Sequence, residues 1–121
     1  MIKFRAWDKV QKVMMVPRDI QTDSDGNIFY VEAMGPDGEY DEGDLDVFKL
    51  EQFTGLKDVN GKEIYEGDIL ENWKYRSIVK FANGKFLADV VGTISRFDLI
   101  GETHGSKVIG NVHEKPELLK G

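Results

Sequence analysis

Asn83-Gly84 stands between two runs of mixed apolar and polar residues, 77–81 and 85–91, and this arrangement restricts the fold more than any other feature of the chain. Asn and Gly tolerate the positive φ that both central residues of a type I′ turn require, and that turn matches the twist of paired antiparallel strands. A β-hairpin is therefore predicted. The same period of two recurs elsewhere. Ile2, Phe4 and Ala6 alternate with Lys3, Arg5 and Trp7 in a half-buried first strand. A second short strand is predicted over 12–16, ended by Pro17. A third, over 27–33, is rich in aromatic and β-branched residues and is fenced by the turn signals Asp25-Gly26 and Gly35-Pro36-Asp37-Gly38.

Residues 37–46 read as an acidic loop. Residues 47–53 fit either a strand or a short helix, and the period does not decide between them. After the tight turn Asp58-Val59-Asn60-Gly61, further strands are predicted over 69–73, 93–100 and 107–112. The one helical turn expected is 116–119, opened by Pro116. Short strands joined by tight turns, without crossover helices, favour a mainly β protein with an antiparallel barrel or roll over an α/β sheet. The predicted core draws on Phe4, Phe29, Val31, Leu50, Ile69, Val79, Phe81, Phe86 and Val108.

A chain of 121 residues with 40% hydrophobic content can build such a core without staples. It has no cysteine, so disulfides, thiolate metal sites and cysteine nucleophiles are excluded, and a reducing cytoplasm is the expected setting. The opening residues lack the apolar centre of a signal peptide, and no apolar run is long enough to span a bilayer. Charge is uneven. Residues 1–60 hold 7 basic and 13 acidic side chains, and residues 61–121 hold 9 of each. Ten acids and no Lys or Arg lie between Asp19 and Phe48. Such a stretch repels phosphate backbones, so duplex DNA is an improbable partner there. The acidic loop could serve a basic partner, but a solvated loop is the simpler reading.

Lys74, Arg76, Lys80 and Lys85 interleave with Trp73, Tyr75 and Phe81, as in platforms for single-stranded nucleic acid. Strand parity argues against that role. It puts Trp73, Tyr75, Val79 and Phe81 on one face, and Lys74, Arg76 and Lys80 on the other, which is a core face and a solvated face. The acidic turns at Asp23–Asn27 and 37–44 miss the sixth-position Gly and twelfth-position Glu of a calcium loop: Ile28 and Met34 occupy those places in the first, and Glu42 the Gly position in the second. His104 and His113 stand singly. Asp98 or Glu102 could orient His104, but nothing selects either. No catalytic, cofactor or metal residue is therefore assigned, and the chain is read as a non-enzyme without cofactors.

Ile2-Lys3-Phe4-Arg5-Ala6-Trp7-Asp8 resembles the opening of the YopX family of phage and prophage proteins. The resemblance continues at Gln52-Phe53-Thr54-Gly55-Leu56-Lys57-Asp58 and through Asn60-Gly61-Lys62-Glu63-Ile64-Tyr65-Glu66-Gly67-Asp68-Ile69. It closes at Val108-Ile109-Gly110-Asn111-Val112-His113-Glu114-Lys115-Pro116-Glu117-Leu118. These blocks stand in the family's order and span nearly the whole chain, while residues 92–106 match no family pattern. The resemblance implies a genome setting in phages or prophages of Gram-positive bacteria, and a C-terminal part similar to a small SH3-like barrel. It supplies no catalytic residues. The expectation is an N-terminal β portion over 1–54 and an SH3-like barrel over 55–121, forming a self-associating interaction module of the host cytoplasm. The alternatives are nucleic-acid binding through Lys74, Arg76, Lys80 and Lys85, and an enzyme centred on His104 or His113.

Overall fold

The computed structural model describes residues 2–120 as strands, turns and two short 3-10 helices, with no α-helix among them. Two compact units, Met1–Gln52 and Phe53–Gly121, divide the chain.

The N-terminal unit contains β1 (Phe4–Asp8), β2 (Val13–Thr22), β3 (Ile28–Met34), β4 (Tyr40–Gly43) and the first half of β5 (Phe48–Lys57). Neighbours pair antiparallel in the order β4-β3-β2-β1-β5. β1 sits centrally, with Ala6 opposite both Met15 and Leu50. Ala6, Met15, Val31, Ala33 and Phe48 form the buried core, and Val13, Ile28, Val47 and Leu50 pack on it. Asp8 ends β1 by turning back on itself: its Oδ1 accepts the N–H groups of Val10 and Gln11, each at 2.9 Å.

Pro17 does not end the second strand, which runs on to Thr22. β1 pairs with β2 only between Val13 and Met15, and the β2–β3 register shifts just after Pro17. The missing donor thus falls at an irregularity beside an open flank, where proline is tolerated. The acidic segment is not all loop. The turn at Gly35–Gly38 returns the chain, with Gly35 N–H donating to Glu39 C=O at 2.8 Å, and β4 pairs with β3 from Tyr40 to Gly43. Charged side chains suit an edge strand, since they deter a further neighbour.

The C-terminal unit contains the second half of β5, β6 (Glu63–Tyr65), β7 (Asp68–Glu71), β8 (Arg76–Ala82), β9 (Lys85–Val90), β10 (Arg96–Asp98) and β11 (Lys107–Asn111). The 3-10 helices are Leu99–Gly101 and Pro116–Leu119. β8 and β9 form the hairpin read from Asn83-Gly84, whose φ values of 55° and 81° are both positive as the turn requires. Ile64, Leu70, Val79 and Leu99 form the core, flanked by Leu56, Phe86 and Val108. The sheet runs β10-β9-β8-β7-β11 and is antiparallel throughout. It is not closed into a barrel, because β10 is three residues long and turns at once into a 3-10 helix.

Three predicted core residues sit elsewhere. Phe29 is 52% exposed because the tip of the β2–β3 hairpin runs past β1 and β4, so no third strand covers it. Phe81 is 49% exposed beside the hairpin turn, where its ring meets Phe86 at a centroid distance of 4.9 Å. Phe4, in the first strand, is only half-buried.

Candidate functional site

The basic-aromatic segment departs from strand parity at its start. Asn72 Oδ1 accepts the N–H groups of Lys74 and Tyr75, each at 2.8 Å, and Asn72 N–H donates to Tyr75 C=O at 3.0 Å. This turn holds the chain out of the ladder until Arg76. Trp73 is consequently not a core residue but 92% exposed. From Ser77 onward alternation resumes, with Ser77 and Val79 buried and Lys80 in solvent.

Tyr75 turns toward β10 and stacks on Phe97, with ring centroids 5.9 Å apart and planes 17° from parallel. Its hydroxyl donates to Glu102, and that bond, followed by desolvation, raises the phenol above its ordinary pKa. Trp73, Tyr75, Phe97, Glu102 and Ser106 line an open depression of about 360 Å³. Ile94 and Ile100, on either side of β10, are also fully or largely in water. Exposed large apolar side chains thus cluster in sequence around β10.

Arg76, Lys80 and Lys85 share one face of the β8–β9 hairpin, but carboxylates stand among them, and Lys74 lies before the ladder. Arg76 Nε is 2.9 Å from Glu71 Oε2, and its Nη1 donates to Leu118 C=O at 3.1 Å. Lys85 Nζ lies 2.9 Å from Asp98 Oδ1. Lys80 acts on Asp89, whose carboxyl is held below its usual range first by the hydrogen bond from Arg96. Lys74 is exposed in the Asn72 turn. This unit carries ten basic and ten acidic side chains.

His104 is not drawn into a constellation with Asp98 or Glu102. His104 is exposed after the first 3-10 helix, while Asp98 is engaged by Lys85 and Glu102 by Tyr75. His113 N–H donates to Asn111 Oδ1 at 3.0 Å. The acidic turns cap themselves: Asp23 Oδ1 accepts the N–H groups of Asp25 and Asn27, each at 2.9 Å. Among the described residues, no group of three His, Cys, Asp or Glu is placed to hold a metal ion.

On the N-terminal unit, Tyr30 donates to Glu42 at 2.8 Å, and that bond, then desolvation and the charges of Glu42 and Glu32, push its pKa up to about 12. A shallow depression of about 220 Å³ lies beside Tyr40, lined by Gln11, Met15, Pro36, Asp37 and Glu39.

Sequence reasoning missed two features of the C-terminal unit. One is Phe97 with its flanking isoleucines, whose only signal was three large apolar residues in a segment rich in Gly, Ser and Thr. The other is Asp58, which is buried. Its Oδ1 accepts Asn60 and Lys62 N–H and its Oδ2 accepts Val108 N–H, all at 2.8 Å. Burial works to raise its pKa, but those three donors outweigh it and hold the carboxyl below the ordinary value.

Among the described residues no helix is long and apolar enough to cross a membrane. The model of the YopX protein family matches residues 3–120. No curated protein matches the chain. The crystal structure of protein EF1440 from Enterococcus faecalis is similar over 99% of this chain and 99% of that one, with 29% identity and a TM-score of 0.70.

Proposed function

The chain belongs to the YopX family, and we propose that it works as a non-enzymatic interaction module that self-associates, in the cytoplasm of a host carrying a phage or prophage. One observation carries this reading: Trp73, Ile94, Phe97 and Ile100 stand in water around one strand of a charge-balanced unit. Surfaces of this kind bury rings and aliphatics against a partner, with little charge repulsion to overcome. The open five-stranded sheet of the second unit is read as a roll of SH3-like type, whose edges and grooves suit protein contacts. Light scattering of the purified protein tests the reading. A mass above that of one chain is expected, and a monomer at high micromolar concentration would sink it.

A second reading has one observation in its favour. Trp73 lies exposed next to exposed Lys74, as a stacking platform for single-stranded nucleic acid requires. Against it, Arg76 and Lys85 are occupied by carboxylates of their own unit. Retention on heparin that weakens steeply with salt would favour this second reading, and passage through the column at low salt would remove it.

A further inference from the structure

We infer that the self-association rests on β10, which pairs antiparallel with β10 of a second copy about a two-fold axis at Phe97; this deepens the proposed reading and depends on it. The sheets end in four strands, β4, β6, β10 and β11, and three of them are closed to such pairing. β4 carries Asp41 and Glu42, so a second copy would set carboxylate against carboxylate, and Asp41 Oδ1 already takes Glu42 N–H at 2.9 Å. β6 is three residues long, and its Tyr65 N–H is held by Asp68 Oδ2 at 2.8 Å. β11 has its Val108 N–H taken by Asp58, and Lys115 and Leu118 lie close against Gly110.

β10 is as short as β6, but among the described residues no side chain takes its outward backbone N–H groups, and it carries one charge of each sign. Val90 N–H donates to Ser95 C=O at 2.9 Å, and Arg96, Phe97 and Asp98 lie opposite Asp89, Ala88 and Leu87. Antiparallel ladders alternate bonded and non-bonded pairs, so Phe97 bonds back to Ala88, while the backbone groups of Arg96 and Asp98 point away from β9. All three side chains are exposed.

The strand is also complementary to itself, although within one chain Arg96 already holds both oxygens of Asp89 and Asp98 already meets Lys85, so pairing across the axis shares these exposed partners rather than filling empty ones. Pairing about Phe97 sets Arg96 opposite Asp98 of the second copy, Asp98 opposite the second copy's Arg96, and Phe97 opposite its own equivalent. Asp98 N–H of each copy then meets Arg96 C=O of the other. Ile94, in the bend before β10, and Ile100, in the 3-10 helix after it, are exposed on either side of the pairing strand. An isologous contact demands this self-complementarity, and opposite charges facing across a strand pair favour it.

Two single substitutions test the pairing, both at exposed positions outside the core. Asp98→Arg sets guanidinium against guanidinium across the axis, and Arg96→Asp sets carboxylate against carboxylate. By light scattering, the unmodified protein is expected at twice the chain mass and each variant alone at the mass of one chain. An equimolar mixture of the two is expected to return to twice the chain mass, because each supplies the sign the other lacks; this recovery also shows that both variants are folded. If both variants keep the mass of the unmodified protein, or the mixture stays monomeric, β10 is not the contact, while self-association itself stands. If the unmodified protein is monomeric at high micromolar concentration, both the pairing and the reading beneath it are overturned.

Discussion

The N-terminal unit carries 12 acidic and 6 basic side chains, and the C-terminal unit ten of each. The first answers the hazard of an open sheet edge with charge: β4 displays carboxylates that repel a copy of itself. The second closes β11 with a buried carboxylate and a 3-10 turn, yet leaves β10 neutral, centred on phenylalanine and flanked by isoleucines. An edge strand with neither repelling like charges nor a covering turn is open to pairing with another strand. Net charge alone conceals this contrast, because it assigns all of the −6 to one unit.

The largest test of the comparison concerns the cores. Phe48 is fully buried in the N-terminal cluster, and Phe48→Ala should cost about 4 kcal/mol by the usual range for core aromatics. Amide exchange should accelerate more in β1–β3 than in β7–β9. Equal acceleration would show that the two cores open together.

Next comes Asp58→Ala, which strands three backbone donors, one of them across 50 residues. A loss on the order of 3 kcal/mol is expected in chemical denaturation. The depressed pKa sets a pH signature. The carboxylate's contribution is fully present above the unfolded value of about 4 and is lost as pH falls through the lower folded value. The variant should therefore show a weaker dependence of stability on pH in that acid range.

Gly84→Ala forces a side chain onto a residue at φ 81° and should cost about 1 kcal/mol in thermal or chemical melts. Trp73→Ser should move stability least, within about 0.5 kcal/mol, because the ring is already in water. It should nonetheless weaken self-association measured by dilution in light scattering. If Trp73→Ser destabilised the fold instead, the contrast between a guarded and an offered surface would weaken.

The sequence made the β8–β9 hairpin legible because Asn83-Gly84 is a local signal whose meaning needs no tertiary context. It also made the helical turn at Pro116 and most of the strand positions readable. β4 escaped because acidic residues have low strand propensity, and only pairing with β3 makes Tyr40–Gly43 extended. Trp73 was misplaced because parity presumes an unbroken strand, and the Asn72 side chain breaks this one just before it begins. Phe29 has the right parity but lies beyond the reach of other strands. Barrel closure depends on whether the first and last strands meet, which no residue pattern within 93–112 encodes. The neutralisation of Arg76 and Lys85 depends on side chains brought close by the ladder, so their charges looked free when read along the chain.

The carboxylate of Asp58 also bears on how the protein is made. Residues 58–62 leave the ribosome long before Val108, so the oxygen destined for that distant amide must stay hydrated until the segment around Val108 has emerged. The second unit is thus completed late, at its final strand, whereas the first has every one of its strands available by residue 52. A nascent chain halted near residue 100 would carry a finished front half and an unlatched back half.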